Sequence, residues 1–310
     1  MRVIFMGTPD FAVGTLQALQ EAGYEVVLAV TQPDKPKGRK QILEAPPVKQ
    51  EAERLGIPTF QPRRVREPES LQVLRDYEPD LIVVAAFGQI LPKELLEMPR
   101  YGCINVHASL LPKYRGAAPI QWAILNGDAV AGVTIMRMDV GLDTGDMIAQ
   151  REIEVTPQET GGSLFDRLAD LGAKLCVDTI PSIVDGTAVY TPQEESAATK
   201  VGLIKKEDGQ IDFSKDACAI ERQIRALNPW PSAYTSLGGK TLKLWESYVG
   251  EASSDAAPGT IVSVEKDRFG VQTGDGVLVC TQVQLEGKKR MPAADFLRGN
   301  ALNVGDRLGI

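Results

Sequence analysis

The sequence predicts an α/β fold, a doubly wound and mostly parallel sheet, followed by a small β-barrel. Three observations lead to this prediction. Short apolar strands alternate with helical patterns in the first half of the chain. A polar stretch without periodicity, TPQEESAATK, comes next, and strand-like pieces separated by glycines follow it. Because 310 residues exceed what one hydrophobic core usually serves, we expect a first domain over 1–188, a linker over 189–208 and a second domain over 209–310.

In the first domain, the strands are short runs rich in branched residues, and the helices have apolar residues three or four positions apart. Prolines and glycines mark several of the helix ends. The predicted elements are a strand at 2–6, a helix from Phe11 towards Gly23, a strand at 25–30, a helix opened by Pro46 and Pro47 and closed by Gly56, a helix at 67–76, strands at 81–85, 103–107, 132–138 and 147–155, and a helix at 163–184 that Pro181 interrupts.

The second domain begins with one helical pattern, at 217–227. Four short strand patterns follow, and glycines stand between them. The predicted strands are 236–244, 260–264, 270–272 and 277–284.

Composition excludes several classes of protein. Apolar runs such as 81–87 are far too short to span a bilayer, so no membrane association is expected. The four cysteines form no CxxC pair, which indicates reduced thiols in the cytoplasm and no zinc site. His107 is the single histidine, so a multi-histidine metal site is excluded and any histidine chemistry must use this residue.

A local basic patch lies within an acidic chain. The net charge of −7 argues against a protein that coats nucleic acid along its whole surface. Between positions 31 and 49, however, five basic residues oppose two acidic ones, a balance of +3 (five minus two). The basic residues are Lys35, Lys37, Arg39, Lys40 and Lys49, and the acidic ones are Asp34 and Glu44.

Two polar residues, Asn105 and His107, end a strand that is otherwise apolar. Side chains two apart on a strand point to the same face, and the carboxyl ends of parallel strands form the binding crevice of such sheets. Buried polar groups at this place need partners or a function. Spacing alone leaves two readings open, a catalytic pair or a hydrogen-bonded pair that merely ends the strand.

The loop VGLDTGD at 140–146 offers a carboxylate, Asp143, to the same edge of the sheet. A carboxylate beside the histidine can orient the imidazole and stabilise its protonated form. An ordinary Asp-Gly turn is the alternative. A calcium loop is excluded because the spacing does not fit the D-x-[DN]-x-[DN]-G pattern.

Two other chemistries have little support in the sequence. Ser109 stands near His107, but no G-x-S-x-G elbow surrounds it to make it a nucleophile. The Gly7-Thr8-Pro9 turn follows the first strand but lacks the G-x-G-x-x-G glycines of a dinucleotide site. A nicotinamide dehydrogenase is therefore disfavoured.

The string INVHASLLPKYRGAAPIQWAILNGD at 104–128 resembles the signature of the folate-dependent formyltransferases. Together with GLDTGDM at 141–147, it supplies the Asn, His and Asp of that family as Asn105, His107 and Asp143. VIFMGTPDFA near the start, TQPDKPKGRK at 31–40 and LNPWPSAY at 227–234 are similar to the family members that act on an aminoacylated tRNA. The resemblance covers essentially the whole chain.

The resemblance implies a Rossmann-like catalytic domain and a second, OB-like β-barrel domain that binds tRNA. It implies 10-formyltetrahydrofolate as the formyl donor and the α-amino group of methionyl initiator tRNA as the acceptor. We also expect no metal and a monomer. The implied folate-binding residues are Ser109, Leu110, Leu111 and Pro112, with Phe87, Ile90 and Leu91 lining the pterin pocket. The basic patch supplies the implied tRNA-binding residues, which are Lys35, Lys37, Arg39 and Lys40.

The implied chemistry fits these residue types. An attacking amine leaves an oxyanion on the formyl group, and a protonated His107 and the amide of Asn105 can donate hydrogen bonds to it. Asp143 can hold the imidazole and help to relay a proton to the departing folate nitrogen.

One position departs from the family pattern. Related tRNA formyltransferases have a lysine where this chain has Leu203, although Lys200, Lys205 and Lys206 lie close by. Alternative acceptors are a phosphoribosyl glycinamide or an amino sugar nucleotide, but such small acceptors need neither the basic patch nor the second domain. A non-catalytic RNA-binding protein would leave the polar triad unexplained.

Overall fold

The computed structural model describes residues 1–37, 42–251 and 254–309. The strands are β1 (Arg2–Gly7), β2 (Glu25–Val30), β3 (Lys35–Lys37), β4 (Ile42–Glu44), β5 (Thr59–Phe60), β6 (Leu81–Ala85), β7 (Cys103–His107), β8 (Lys113–Gly116), β9 (Val130–Arg137), β10 (Met147–Glu154), β11 (Thr199–Val201), β12 (Ala233–Leu237), β13 (Lys240–Gly250), β14 (Ile261–Val264), β15 (Phe269–Gln272), β16 (Val277–Leu285) and β17 (Met291–Pro292). The helices are α1 (Asp10–Glu21), α2 (Pro47–Arg54), α3 (Pro68–Asp76), α4 (Lys93–Leu96), α5 (Pro119–Leu125), α6 (Gly161–Asp185), α7 (Ala217–Ala226) and α8 (Ala293–Gly299).

The chain divides into two compact units that alternate along the sequence. The first unit consists of 1–119, 130–154 and 165–201. The second consists of 120–129, 155–164 and 202–310. Within the stretch expected as a linker, residues up to Val201 therefore belong to the first unit and residues from Gly202 onwards to the second.

A seven-stranded sheet forms the centre of the first unit, in the order β10-β9-β7-β6-β1-β2-β5. The five strands from β7 to β5 run parallel, and β9 and β10 run antiparallel to their neighbours. Alternate residues of β1, β2 and β6 pack into one apolar cluster, and α1 lies against the same three strands. The buried residues of α1 are not part of this cluster, so the helix packs on the opposite face of the sheet. Both faces of the sheet are therefore covered, which confirms the predicted mostly parallel α/β fold.

The turn after β1 brings the carboxyl ends of three strands together. A Cβ on Gly7 would lie 2.6 Å from the Cβ of Ala12 and 2.9 Å from the carbonyl oxygen of Ala85, so only glycine fits where α1 begins. The hydroxyl of Thr8 donates to the carbonyl of Phe87 (3.1 Å) and accepts from the amide of Gln32 (3.2 Å). This turn joins the ends of β1, β2 and β6 rather than forming a dinucleotide loop.

Helix α6 differs from the expectation at Pro181. The sequence predicted an interruption there, but the helix continues over 25 residues from Gly161 to Asp185. Proline removes one backbone hydrogen bond, while the buried side chains of Cys176, Ile180 and Ile183 keep both sides of the proline packed. Packing therefore outweighs the local preference.

The second unit contains an antiparallel sheet in the order β12-β13-β16-β15-β14, with β17 paired to β16. Helix α7 is capped by Asp216, whose carboxylate accepts from the amide of Ala219 (2.8 Å), and its buried residues Ile220 and Ile224 join the core of the sheet. This small antiparallel β domain confirms the predicted fold class.

The expected strand at 236–244 is wrong, because Gly238 and Gly239 turn the chain in its middle. Both glycines have positive φ, +54° and +75°, and they join β12 to β13 as a tight hairpin. The glycine pair itself was the signal in the sequence for this turn. In the described part of the chain, no helix combines the length and the apolar character needed to cross a membrane.

Candidate active site

Asn105 and His107 lie on β7 as predicted, at the carboxyl end of the strand. β7 stands between β6 and β9, and Asn105 pairs with Met136 and His107 with Thr134 on β9. Both side chains are largely buried, with 9% and 7% of their surface exposed. Among the residues that the structure describes, none forms a hydrogen bond with the side-chain amide of Asn105. A polar amide at the end of a buried strand is therefore available to a ligand.

The two nitrogens of His107 have different surroundings. Nε2 lies 2.8 Å from the carbonyl oxygen of Tyr114. Because a carbonyl only accepts, Nε2 must carry a hydrogen and donate it. Nδ1 faces the carboxylate of Asp143, 3.8 Å from Oδ1. Nδ1 is therefore the ring nitrogen that has no hydrogen-bond partner among the described residues.

Asp143 is held in place by a backbone amide. Its Oδ2 accepts from the amide of Gly116 at 2.8 Å, while Oδ1 faces the imidazole of His107. The residue has a φ of +54°, in the left-handed region that favours glycine and that aspartate adopts more readily than most other residues. The sequence prediction of a carboxylate beside the histidine thus agrees with the geometry of the loop.

The loop that carries Asp143 is stabilised from within. The carboxylate of Asp139 accepts from the amide of Gly141 (3.0 Å) and the hydroxyl of Thr144 (2.7 Å). A Cβ on Gly145 would lie 1.7 Å from the carbonyl oxygen of Arg137, so glycine is required there. Sequence reasoning missed Asp139, although an Asp two residues before a glycine is a common turn signal.

The segment expected to bind folate is fastened to β9 and β10. The hydroxyl of Thr134 accepts from the amide of Leu111 (3.1 Å) and donates to the carbonyl of Ser109 (2.7 Å). Gln150 donates to the carbonyl of Leu111 (2.9 Å) and to the hydroxyl of Thr134 (2.9 Å). The hydroxyl of Ser109 donates to the carbonyl of Tyr114 (2.8 Å), so its hydrogen is not directed at His107. This geometry gives no support to a serine nucleophile.

The residues expected to contact folate differ in exposure. Leu111, Phe87 and Leu91 have 2% to 4% of their surface exposed, and Phe87 and Leu91 belong to the apolar cluster of the first unit. Ile90 is 80% exposed. Leu110 and Pro112 are half-buried.

In its described residues, the basic patch contains a pair of short strands, the β3–β4 hairpin. β3 and β4 pair antiparallel, with Lys35 opposite Glu44, and the side chain of Lys35 is exposed. The predicted tRNA-binding residues Arg39 and Lys40 lie outside the described residues, as does the side chain of Lys37. Position Leu203 is exposed, and so are the three lysines near it, Lys200, Lys205 and Lys206.

Lys49 does not belong to the exposed part of the basic patch. Its ammonium group lies 3.0 Å from both carboxylate oxygens of Asp34 and 2.8 Å from Oε1 of Gln61. Hydrogen bonds from Gln61 and from Lys49 lower the pKa of Asp34, so this carboxylate stays charged at neutral pH. The two opposite charges at the base of the hairpin neutralise each other.

Comparisons with known proteins cover nearly the whole chain. The model of the formyl transferase family matches residues 1–180, and that of the formyl transferase C-terminal domain matches residues 203–301. A methionyl-tRNA formyltransferase of Agathobacter rectalis is 60% identical over 98% of this chain and 98% of the relative. One from Lachnospira eligens is 53% identical over the full length of both. The structure of WlaRD, a sugar 3N-formyl transferase solved in the presence of dTDP and 5-N-formyl-THF, covers 93% of this chain and 99% of its own, with 20% identity and a TM-score of 0.67.

Proposed function

Because the chain belongs to the formyl transferase family and formylates methionyl-tRNA for the initiation of translation, we propose a formyl donor, catalytic residues and binding surfaces for this reaction. Membership of the family rests on relatives that match nearly the whole chain. The proposed donor is 10-formyltetrahydrofolate. Family membership supports it, as does the formylated folate named with the sugar formyltransferase of the same fold.

The proposed catalytic residues are Asn105, His107 and Asp143. As the amine attacks the formyl carbon, the formyl oxygen gains negative charge, which hydrogen-bond donors stabilise. The proposed donors are the Nδ1–H group of a protonated His107 and the amide of Asn105, two residues of β7. Asp143 faces Nδ1 at 3.8 Å and stabilises the imidazolium. At 3.8 Å this carboxylate does not accept the Nδ1 hydrogen, which is left to the formyl oxygen.

One observation carries this assignment, namely the direction of the imidazole. The carbonyl of Tyr114 accepts the hydrogen of Nε2, so Nδ1 is directed at Asp143. A histidine that only ended the strand would not need a carboxylate on a strained loop beside its other nitrogen.

The proposed folate surface comprises Ser109, Leu110, Leu111, Pro112, Phe87, Ile90 and Leu91. Within this set, the exposed side chain of Ile90 and the half-buried Leu110 and Pro112 offer contact area for a flat heterocycle. The buried members support the surface from below. Gln150 and Thr134 hold the backbone of the Ser109–Pro112 segment, which makes its shape independent of the ligand.

The proposed tRNA contacts come from both ends of the chain. Lys35, Lys37, Arg39 and Lys40 provide the basic residues of the first surface, and the domain at 209–310 provides a second RNA-binding surface. In that domain, the guanidinium of Arg290 lies 5.0 Å and the ammonium of Lys243 5.7 Å from the ring centre of Trp245. Cations beside an aromatic ring are the combination that binds phosphates and stacks on bases. We further propose a monomeric, cytoplasmic enzyme that requires no metal.

The test combines the protein with formylated folate and charged initiator tRNA, with an amino sugar nucleotide and a phosphoribosyl glycinamide as rival acceptors. We expect rapid formylation of the methionyl-tRNA and none of the small acceptors. Preferential formylation of a small acceptor would overturn the assignment of the acceptor, and no transfer from 10-formyltetrahydrofolate would overturn that of the donor.

A further inference from the structure

Strand β8 contacts two of the proposed catalytic residues, His107 and Asp143. The carbonyl of Tyr114 accepts from Nε2 of His107, and the amide of Gly116 donates to the carboxylate of Asp143. Arg115 lies between these two residues, and only 1% of its side chain is exposed. A buried guanidinium needs good partners, because an unpaired charge in the interior costs several kcal/mol.

The partner of Arg115 is Gln193, which also holds the loop of Asp143. Gln193 belongs to the 191–201 segment, whose first residue exchanges two backbone hydrogen bonds of 2.9 Å with Met147. The side-chain nitrogen of Gln193 donates to the carbonyl of Asp143 (2.8 Å) and to that of Gly145 (2.7 Å). One amide therefore fixes the backbone on both sides of Thr144.

The amide of Gln193 can point in only one direction. Nε of Arg115 donates to Oε1 of Gln193 at 2.9 Å, so the oxygen must face the guanidinium and the nitrogen must face the loop. The opposite orientation would place donor against donor and acceptor against acceptor. Arg115 thus ensures that the side-chain nitrogen of Gln193, and not its oxygen, faces the loop that carries Asp143.

Glu195 completes the chain of contacts. Nη1 of Arg115 donates to its carboxylate at 2.6 Å, and this hydrogen bond, together with the charge of the guanidinium, lowers the pKa of Glu195. The carboxylate is therefore charged at neutral pH and balances the buried cation. Strand β11 of the same segment pairs with β8, with Lys200 opposite Arg115 and Val201 opposite Gly116.

We infer that Gln193, oriented by Arg115, is a positioning residue that holds Asp143 opposite His107. The left-handed backbone of Asp143 needs outside restraint, and the two hydrogen bonds from Gln193 act on that backbone. This inference rests on the proposed role of Asp143. It gives the 191–201 segment a part in catalysis through the backbone of the loop that carries Asp143.

The experiment measures kcat and KM for Gln193→Met, Gln193→Glu, Asp143→Asn and the double variant Gln193→Met with Asp143→Asn. Methionine fills the same space without donors, while glutamate keeps the acceptor for Arg115 and loses the donors to the loop. We expect both Gln193 variants to lose about tenfold or more in kcat, with KM for tRNA and folate nearly unchanged, as small displacements of a catalytic group do. Gln272→Met is the matched control, because Gln272 also donates to two backbone carbonyls (2.9 and 3.2 Å), in the second unit.

The double variant separates positioning from general stability. If Gln193 acts through Asp143, then Asp143→Asn costs much less in the Gln193→Met background than in the wild type, because the carboxylate is already displaced. Additive losses, or a full kcat in stable Gln193→Glu protein, would overturn the inference. If Asp143→Asn alone retains full turnover, the proposed catalytic role of Asp143 fails instead. Thermal unfolding of each variant shows that the protein assayed is folded.

Discussion

At the scale of single residues, the site depends on which atom of each side chain is already engaged. His107 uses Nε2 to hold Tyr114, and Asp143 uses Oδ2 to hold Gly116. The remaining atoms, Nδ1 and Oδ1, face each other. Each side chain therefore uses one atom to hold the backbone and leaves one for the proposed chemistry. Pre-orientation of this kind is what makes hydrogen-bond donors effective in stabilising developing charge.

We expect His107→Ala and Asp143→Asn each to reduce turnover by at least about a hundredfold, as the loss of a proton-transfer or oxyanion group commonly does. Asparagine can still accept from the amide of Gly116, so the Asp143→Asn protein should keep its fold. The measurement is the rate of formylation of methionyl-tRNA by purified protein. Asp185→Asn is the control, since Asp185 also accepts from a backbone amide (Thr187, 2.9 Å) and is exposed at the end of α6. Turnover near the wild-type rate in either site variant contradicts the assignment.

Gly116 has two features that exclude a larger residue, a positive φ and a close neighbour, and their effects on the free energy of unfolding can be measured separately. Its φ is +100°, and a Cβ would lie 2.3 Å from the carbonyl oxygen of Val201. Gly186 has a φ of +79° with no atom within 4 Å of its Cβ position. We expect Gly186→Ala to cost about 1 kcal/mol from backbone strain, and Gly116→Ala about 2 kcal/mol more from the clash. Urea denaturation of both variants tests this difference. Equal decreases in the free energy of unfolding would show that β11 moves away freely.

At the scale of elements, the sequence predicted those whose residues form a local pattern. The strands at Leu81–Ala85 and Cys103–His107 are runs of buried residues, and both were predicted with their observed bounds. Parallel strands in this environment need continuous apolar character, so their pattern is strong. The position of Asn105 and His107 followed from the same pattern, because their strand and its direction were predicted correctly.

Elements that depend on distant partners were missed. β8 and β11 are four and three residues long, mostly polar in sequence, and separated by more than eighty positions. No periodicity marks such strands, because their hydrogen bonds and not an apolar face hold them together. Gln193 and Arg115 were missed for the same reason. A buried arginine and an ordinary glutamine have no local signature until the chain brings them together.

The β3–β4 hairpin carries the prediction on tRNA recognition. Arg39 falls between these strands, outside the described residues. We expect Arg39→Ala to reduce formylation of methionyl initiator tRNA by tenfold or more, about 1.4 kcal/mol, because an arginine contact with phosphate or a stacked base is lost. Folate binding, measured by direct titration, should not change.

Arg66→Ala provides the matched control for the hairpin, since Arg66 is an exposed arginine of the same unit that lies outside β3 and β4. If Arg39→Ala formylates tRNA at the wild-type rate in physiological salt, the hairpin is not the recognition element. The second domain would then have to provide recognition by itself.

At the scale of the whole molecule, the reactivity of the four cysteines shows whether the two hydrophobic cores are closed to solvent. Burial raises the pKa of Cys103 and of Cys176 to about 12 and also raises that of Cys280, so these thiols stay protonated at neutral pH. Cys218 is exposed. We expect a thiol reagent at pH 8 to label one cysteine of the native protein quickly, at position 218, and all four in urea. Mass spectrometry of the labelled peptides checks this, and rapid labelling at Cys103 or Cys176 would show that the first core opens.

The alternation of the two units along the chain has a consequence for the order in which the protein is built. The last strand of the central sheet, β10, ends at Glu154, so this sheet can assemble early during synthesis on the ribosome. Strand β11 ends only at Val201, and β8 has no partner strand until then. A nascent chain that has completed its central sheet therefore still lacks the segment that holds Asp143. We expect the central sheet to fold before the surroundings of Asp143 are complete, and these surroundings to be completed only once residues up to Val201 have left the ribosome.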